Sequence, residues 1–118
     1  MNLTEFYPLV GGNYSEVKGR LLKDERIYKY VRMFVKDTSY SDFAPALAAE
    51  DYLTAFRCAH TLKGLCANLG LENLREAASD VCEALRPGVK PEGDISGLIA
   101  VMDREYAAAV EAVNALDS

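Results

Sequence analysis

The stretch Asp94 to Leu116 reads DISGLIAVMDREYAAAVEAVNAL. Within it Ile95, Ile99, Met102, Tyr106, Ala109, Val113 and Leu116 recur at alternating spacings of four and three. That rhythm traces one stripe down a helix of about 3.6 residues per turn. Glu and Arg fill the other face, and Asp94 is placed to cap the first turn. A helix with one apolar stripe must bury it against another element, and more helices are what the rest of the chain offers.

Leu71 to Arg86 repeats the pattern with Leu74, Ala78, Val81 and Leu85, and Pro87-Gly88 stops it. Pro87 through Gly93 reads as a loop. Asp51 to Leu69 carries Ala55, Cys58, Leu62, Cys66 and Leu69 on one side, and Gly70 suits a left-handed position at its end. Upstream, Asp24 is expected to cap a helix bearing Ile27, Tyr30, Val31 and Phe34. The polar run Asp37 to Asp42 interrupts it, and a further helix runs toward Glu50 with Phe43 and Leu47 facing inward. Pro45 fits that helix if Ser41 or Asp42 caps it, and otherwise kinks a longer one. Tyr14 to Leu22 forms a short helix after Gly11-Gly12, and Leu3, Phe6 and Tyr7 pack the first dozen residues onto the bundle as a lid.

No strand-like alternation, repeat or low-complexity tract occurs. The expected fold is all-α, an antiparallel four-helix bundle with one or two short extra N-terminal helices. The expected domain is single, 1–118, with 1–12 an extension or short helix and 13–117 the bundle.

A chain of 118 residues suits one domain with its own core. The formal charge of -5 and the absence of a basic stripe argue against a nucleic-acid surface. Apolar runs fall far short of the roughly 20 residues of a membrane span. Neither a basic nor an apolar segment opens the chain, so no signal peptide is expected. Cys58, Cys66 and Cys82 form no CxxC pair, which reads as reduced thiols in a cytoplasmic protein. With one histidine present, a structural zinc site is not expected.

That histidine is His60, in Ala59-His60-Thr61-Leu62-Lys63-Gly64. Stepping about 100° per residue along Asp51 to Leu69 puts His60 almost opposite the apolar side. It shares its face with Leu53, Phe56, Arg57, Lys63, Gly64 and Ala67. The phase favours an exposed imidazole over a core histidine satisfied by a hydrogen bond. Large apolar neighbours beside it form a docking patch, unless the N-terminal residues or an adjacent helix cover them.

An exposed imidazole is nucleophilic near neutral pH. Lys63, one turn away, supplies a cation that would stabilise a phosphoryl group. Gly64 costs about 1 kcal/mol in a helix interior relative to alanine. Its missing side chain leaves a notch through which an acidic pocket could reach the ring, unless helix packing is what needs the glycine. Cys58 and Cys66 project away from His60, so a Cys-His hydrolase is excluded, and no Gly-rich phosphate loop or kinase motif is present. Arg57, and with it Arg75, Arg86 and Lys90, could lend further positive charge.

The segment Ala59 to Gly64, followed by Ala67-Asn68-Leu69-Gly70 and Leu74, resembles the signature of histidine phosphotransfer (HPt) domains. A weaker match covers Tyr14 to Val17, Arg20 to Leu22, Asp24 to Tyr28 and Phe34. The resemblance implies that His60 is the phosphoacceptor, Lys63 the phosphate-stabilising residue and Gly64 the access position, with Leu53, Phe56, Arg57 and Ala67 docking the partner. It implies phosphoryl transfer between aspartates of response-regulator receiver domains, with Mg²⁺ supplied by the receiver and no cofactor or metal of the chain's own. The implied partners are receivers and a hybrid histidine kinase, with no nucleic acid or membrane and a monomeric carrier that is not an enzyme. In this family the following helix often brings a polar residue near the histidine, and here that stretch offers Cys82, Glu83 and Arg86. The alternatives are a non-transferring bundle that docks or inhibits a receiver or kinase, and direct phosphorylation of His60 by a kinase domain.

Overall fold

The computed structural model describes residues 1–117, so Ser118 of the expected domain lies outside the described residues. These residues form seven α-helices: α1 (Leu3–Leu9), α2 (Tyr14–Leu21), α3 (Asp24–Lys36), α4 (Ser39–Ala48), α5 (Tyr52–Leu69), α6 (Glu72–Leu85) and α7 (Ser96–Asn114). No strand occurs among them.

The all-α reading holds, with one refinement in how the bundle is assembled. Its first long helix is broken into α3 and α4 at Asp37-Thr38. Phe34 of α3 and Tyr40 of α4 both contact Tyr106 of α7, with ring centroids 5.8 and 3.7 Å away. The Tyr40 hydroxyl also donates to Asp103, at 2.8 Å. The broken pair α3–α4 therefore shares one neighbour and occupies one corner of the bundle, with α5, α6 and α7 at the others. Short turns join α4 to α5 and α5 to α6, which makes those neighbours antiparallel.

The expected stripes form the core. Val31, Phe34, Leu62, Leu74, Val81, Leu85, Met102 and Val113 are buried, and no charged side chain is buried among the described residues. Phase on α5 departs from expectation by one residue: Ala59 is buried, whereas Cys58 is only half-buried. Small Ala55 and Ala59 let neighbouring helices approach α5 closely.

Three end-of-helix expectations are corrected. Asp24 is the first residue of α3, not its cap; Lys23 holds the cap position without a side-chain bond. The Asp24 carboxylate instead accepts from Tyr14 Oη and Lys18 Nζ, tying α2 to α3. Two donors on α2 outcompete the backbone for it, and its charge still suits the helix N-terminus. Asp94 lies one residue ahead of the cap of α7, which is Ile95, and accepts from Ser96 N–H at 2.9 Å. The polar interruption is also shorter than expected. Ser39 to Asp42 already belong to α4, so Pro45 lies inside that helix and neither Ser41 nor Asp42 caps it.

The N-terminal helices close the end of the bundle where α5 meets α6. Leu3, Phe6 and Tyr7 are buried, as the lid reading requires. Tyr7 Oη donates to the Leu69 carbonyl at 2.8 Å, and Asn73 N–H donates to the Val10 carbonyl at 3.0 Å. Arg20 donates to the Ala67 and Asn68 carbonyls at 3.3 and 3.0 Å. The Ala67, Asn68 and Leu69 carbonyls are in the last turn of α5, where helix geometry leaves them without partners. The N-terminal pair thus anchors the helix that carries His60.

Candidate functional site

Helix α5 begins where Asp51 accepts from Thr54 N–H at 3.1 Å and ends where Gly70 turns left-handed at φ 73°. Between these stops runs a helix of 18 residues, with Ala55, Ala59, Leu62, Cys66 and Leu69 buried. This phase leaves His60 exposed on the outer face. A core histidine is ruled out by that exposure.

Lys63 follows on the next turn, half-buried, and makes no ion pair among the described residues. Gly64 is exposed, and a Cβ built on it would meet no atom within 4 Å. The glycine is therefore not required by helix packing, and the space above it is open. An imidazole, a cation and an unobstructed approach lie together within little more than one turn.

The Phe56 and His60 rings lie 6.1 Å apart, centroid to centroid, and 20° from parallel. Arg86, the residue after the end of α6, places its guanidinium 5.3 Å from the Phe56 centroid. The same guanidinium is paired with Glu83 at 2.9 Å, with a second nitrogen 3.2 Å from the carboxylate. Arg86 holds the Glu83 carboxyl below the usual carboxylate range, and the Lys63 charge adds to this. Both cations also oppose the rise that burial imposes on the Cys82 thiol. Lys63 on α5 and Arg86 at the end of α6 thus both bear on Glu83 and Cys82 of α6.

Of the expected docking residues, Leu53 is 43% exposed, Phe56 is half-buried, and Arg57 and Ala67 are exposed. Cover for Leu53 comes from the α6–α7 loop, not from the N-terminal residues. A Cβ on Gly88 would lie 3.1 Å from the Leu53 Cα, and Val89 beside it is 57% exposed. The hydrogen bonds from Thr54 hold the Asp51 carboxyl below its usual range, and the Arg57 charge adds a smaller share. Arg75 is held by Glu72. Lys90 is exposed on the loop.

Sequence reasoning left Glu83 and Arg86 unplaced, although a signal was available. Phe56 and Arg86 lie nearly equally far along the chain from the Gly70-Leu71 turn, so an antiparallel α5–α6 hairpin brings them together. Cys58 is half-buried and Cys66 fully buried, and burial pushes the Cys66 thiol up to about 12. Neither is an activated nucleophile. No helix among the described residues is long and apolar enough to cross a membrane.

A helical bundle presenting a lone histidine beside a lysine and an open glycine defines the class: a scaffold with an accessible imidazole on a cation-flanked helix face. A family model for the Hpt domain matches residues 32–116, and the chain belongs to that family. No curated protein and no solved structure matches it significantly. The matched range starts within α3, so α1 and α2 precede it, although they seal the end of α5.

Proposed function

We propose that the protein is a phosphoryl carrier of a two-component phosphorelay, with His60 as its acceptor. An imidazole nitrogen of His60 attacks the phosphorus of a receiver's phospho-aspartate. The N–P bond forms as the acyl P–O bond breaks and the aspartate leaves as carboxylate. Transfer to a second receiver reverses these steps, with that receiver's carboxylate as nucleophile and His60 as leaving group.

Lys63 offsets the near-double negative charge of the phosphoryl group before and after transfer. Gly64 admits the receiver's acidic pocket, and Leu53, Phe56, Arg57 and Ala67 form the surface it grips. Mg²⁺ belongs to the receiver. The carrier works as a cytoplasmic monomer, with no cofactor and no nucleotide site of its own, and takes its phosphate from a receiver, including one fused to a hybrid kinase.

The observation that carries this reading is His60 exposed on the outer face of α5, with Lys63 on the next turn and open space at Gly64. Incubation with a phosphorylated receiver tests it. The wild type should gain acid-labile, alkali-stable phosphate, and His60→Gln should gain none. Failure of the wild type to label with a panel of receivers would reject the reading, while labelling by ATP and a kinase domain without any receiver would replace its donor.

A further inference from the structure

Arg86 is engaged twice in this structure, by the Glu83 carboxylate at 2.9 Å and by the face of Phe56 at 5.3 Å. Phe56 in turn stacks with His60. The Arg86 guanidinium therefore lies one aromatic ring away from the imidazole, with Glu83 bound to it. Both side chains are about half exposed, at 57% and 48%, so the pair can exchange partners without unpacking the core.

A phosphoryl group on His60 would bring nearly two negative charges to this part of the surface. It would meet two cations, Lys63 and Arg86, one of which already carries a carboxylate. We infer that Glu83 sets the lifetime of the phosphorylated state, by holding Arg86 and competing with the phosphoryl group for the Arg86 and Lys63 charges. A carrier gains from this arrangement. A phosphohistidine too well neutralised would be a poor donor, and Glu83 keeps the group ready to leave. Glu83 is a positioning residue acting through Arg86, and it touches neither nucleophile nor leaving group. The inference rests on His60 being the acceptor.

The experiment avoids any need for the natural partner. Potassium phosphoramidate labels exposed histidine directly: the N–P bond to His60 forms, the P–N bond to ammonia breaks, and the imidazole proton leaves with the ammonia. After removal of the reagent, phosphorus NMR follows hydrolysis. Water attacks the phosphorus, the N–P bond breaks, the imidazole regains a proton and orthophosphate is released. Glu83→Gln should lengthen the half-life roughly two- to five-fold at low salt, the scale of an exposed ion pair. Glu83→Asp, which keeps the charge, should stay near the wild type. The gain should shrink at about 1 M salt, where screening is strong, and again in an Arg86→Ala background. Equal half-lives for wild type and Glu83→Gln would overturn the inference, as would an undiminished gain without Arg86 or an Asp variant behaving like Gln. If the wild type labels normally in such a case, His60 keeps its assigned role and only Glu83 loses its own. A wild type that labels neither with phosphoramidate nor with receivers rejects both.

Discussion

Phe56 and His60 stand one helical turn apart on α5 with their rings 20° from parallel and 6.1 Å between centroids. An exposed imidazole thus has an apolar ring at its side, and that ring is itself only half-buried. Aromatic residues at the centre of a contact surface commonly dominate its energy. Phe56→Ala should lower the rate of transfer from a phosphorylated receiver about tenfold, equivalent to about 1.4 kcal/mol of lost docking. Labelling by phosphoramidate, which needs no docking, should change less than about two-fold by the same scale. Equal losses in both assays would assign Phe56 to the imidazole's orientation instead.

Gly64 is in helical backbone with open space where a side chain would be. Gly64→Ala should therefore stabilise the fold, by about 0.5–1 kcal/mol of helix propensity. For a domain of this size that raises Tm by roughly 3–6 °C. The same methyl group narrows the approach to His60, and Gly64→Gln closes it. Transfer from receivers should fall from wild type to Ala to Gln as the thermal midpoint remains at or above the wild-type value. A destabilised Gly64→Ala, read by thermal denaturation, would contradict the open space.

Gly12 presents the opposite case. A Cβ there would lie 2.1 Å from the Gly70 carbonyl oxygen and 2.8 Å from the Tyr7 ring. The oxygen belongs to backbone, at the turn that joins α5 to α6, and it cannot swing aside as a flexible side chain would. Gly12→Ala should cost about 2–3 kcal/mol, in the range of overpacked cores. Gly19, with nothing within 4 Å of its added Cβ, is the control. Gly19→Ala should leave the urea midpoint unchanged or raised, and comparable losses at the two positions would refute the close approach.

These contrasts also mark what the sequence made legible. Periodicity revealed the helices because a buried stripe leaves its spacing in the chain: of the α7 stripe, Met102, Ala109, Val113 and Leu116 are buried, and Ile95, Ile99 and Tyr106 pack against the core partly buried. His60 faces outward by phase alone, even though the expected α5 stripe includes Cys58 where Ala59 is the buried residue. Alanine is nearly neutral as a marker of burial, so it gave little weight to its own side. The ends of helices were harder to read. Asp24 has the chemistry of a cap, yet its carboxylate is taken by Tyr14 and Lys18 of α2, a tertiary choice that no local pattern encodes. The Glu83–Arg86–Phe56 contact spans two helices for the same reason. It follows from the hairpin's register, which becomes usable only once the Gly70 turn is fixed.

The core also predicts an alkaline limit to stability. Cys66 is completely buried, and burial pushes its thiol from 9.0 up to about 12, with Glu72 adding to the rise and Arg75 opposing it. Burial first, then the hydrogen bond to Asp103, raises the Tyr40 hydroxyl from 10.0 to about 12. For both groups the charged form is the deprotonated one, and both pKa values are higher in the folded chain than in the unfolded chain. The unfolded chain therefore releases these protons first as pH rises. Their contribution to stability is fully present below about pH 9 and is lost progressively between about pH 9 and 12. Urea midpoints should fall across that window. Cys66→Ala should flatten the part of the fall that begins near pH 9, and Tyr40→Phe the part that begins near pH 10. A midpoint that stays level from about pH 8 to 11 would show that neither group is protected by the fold.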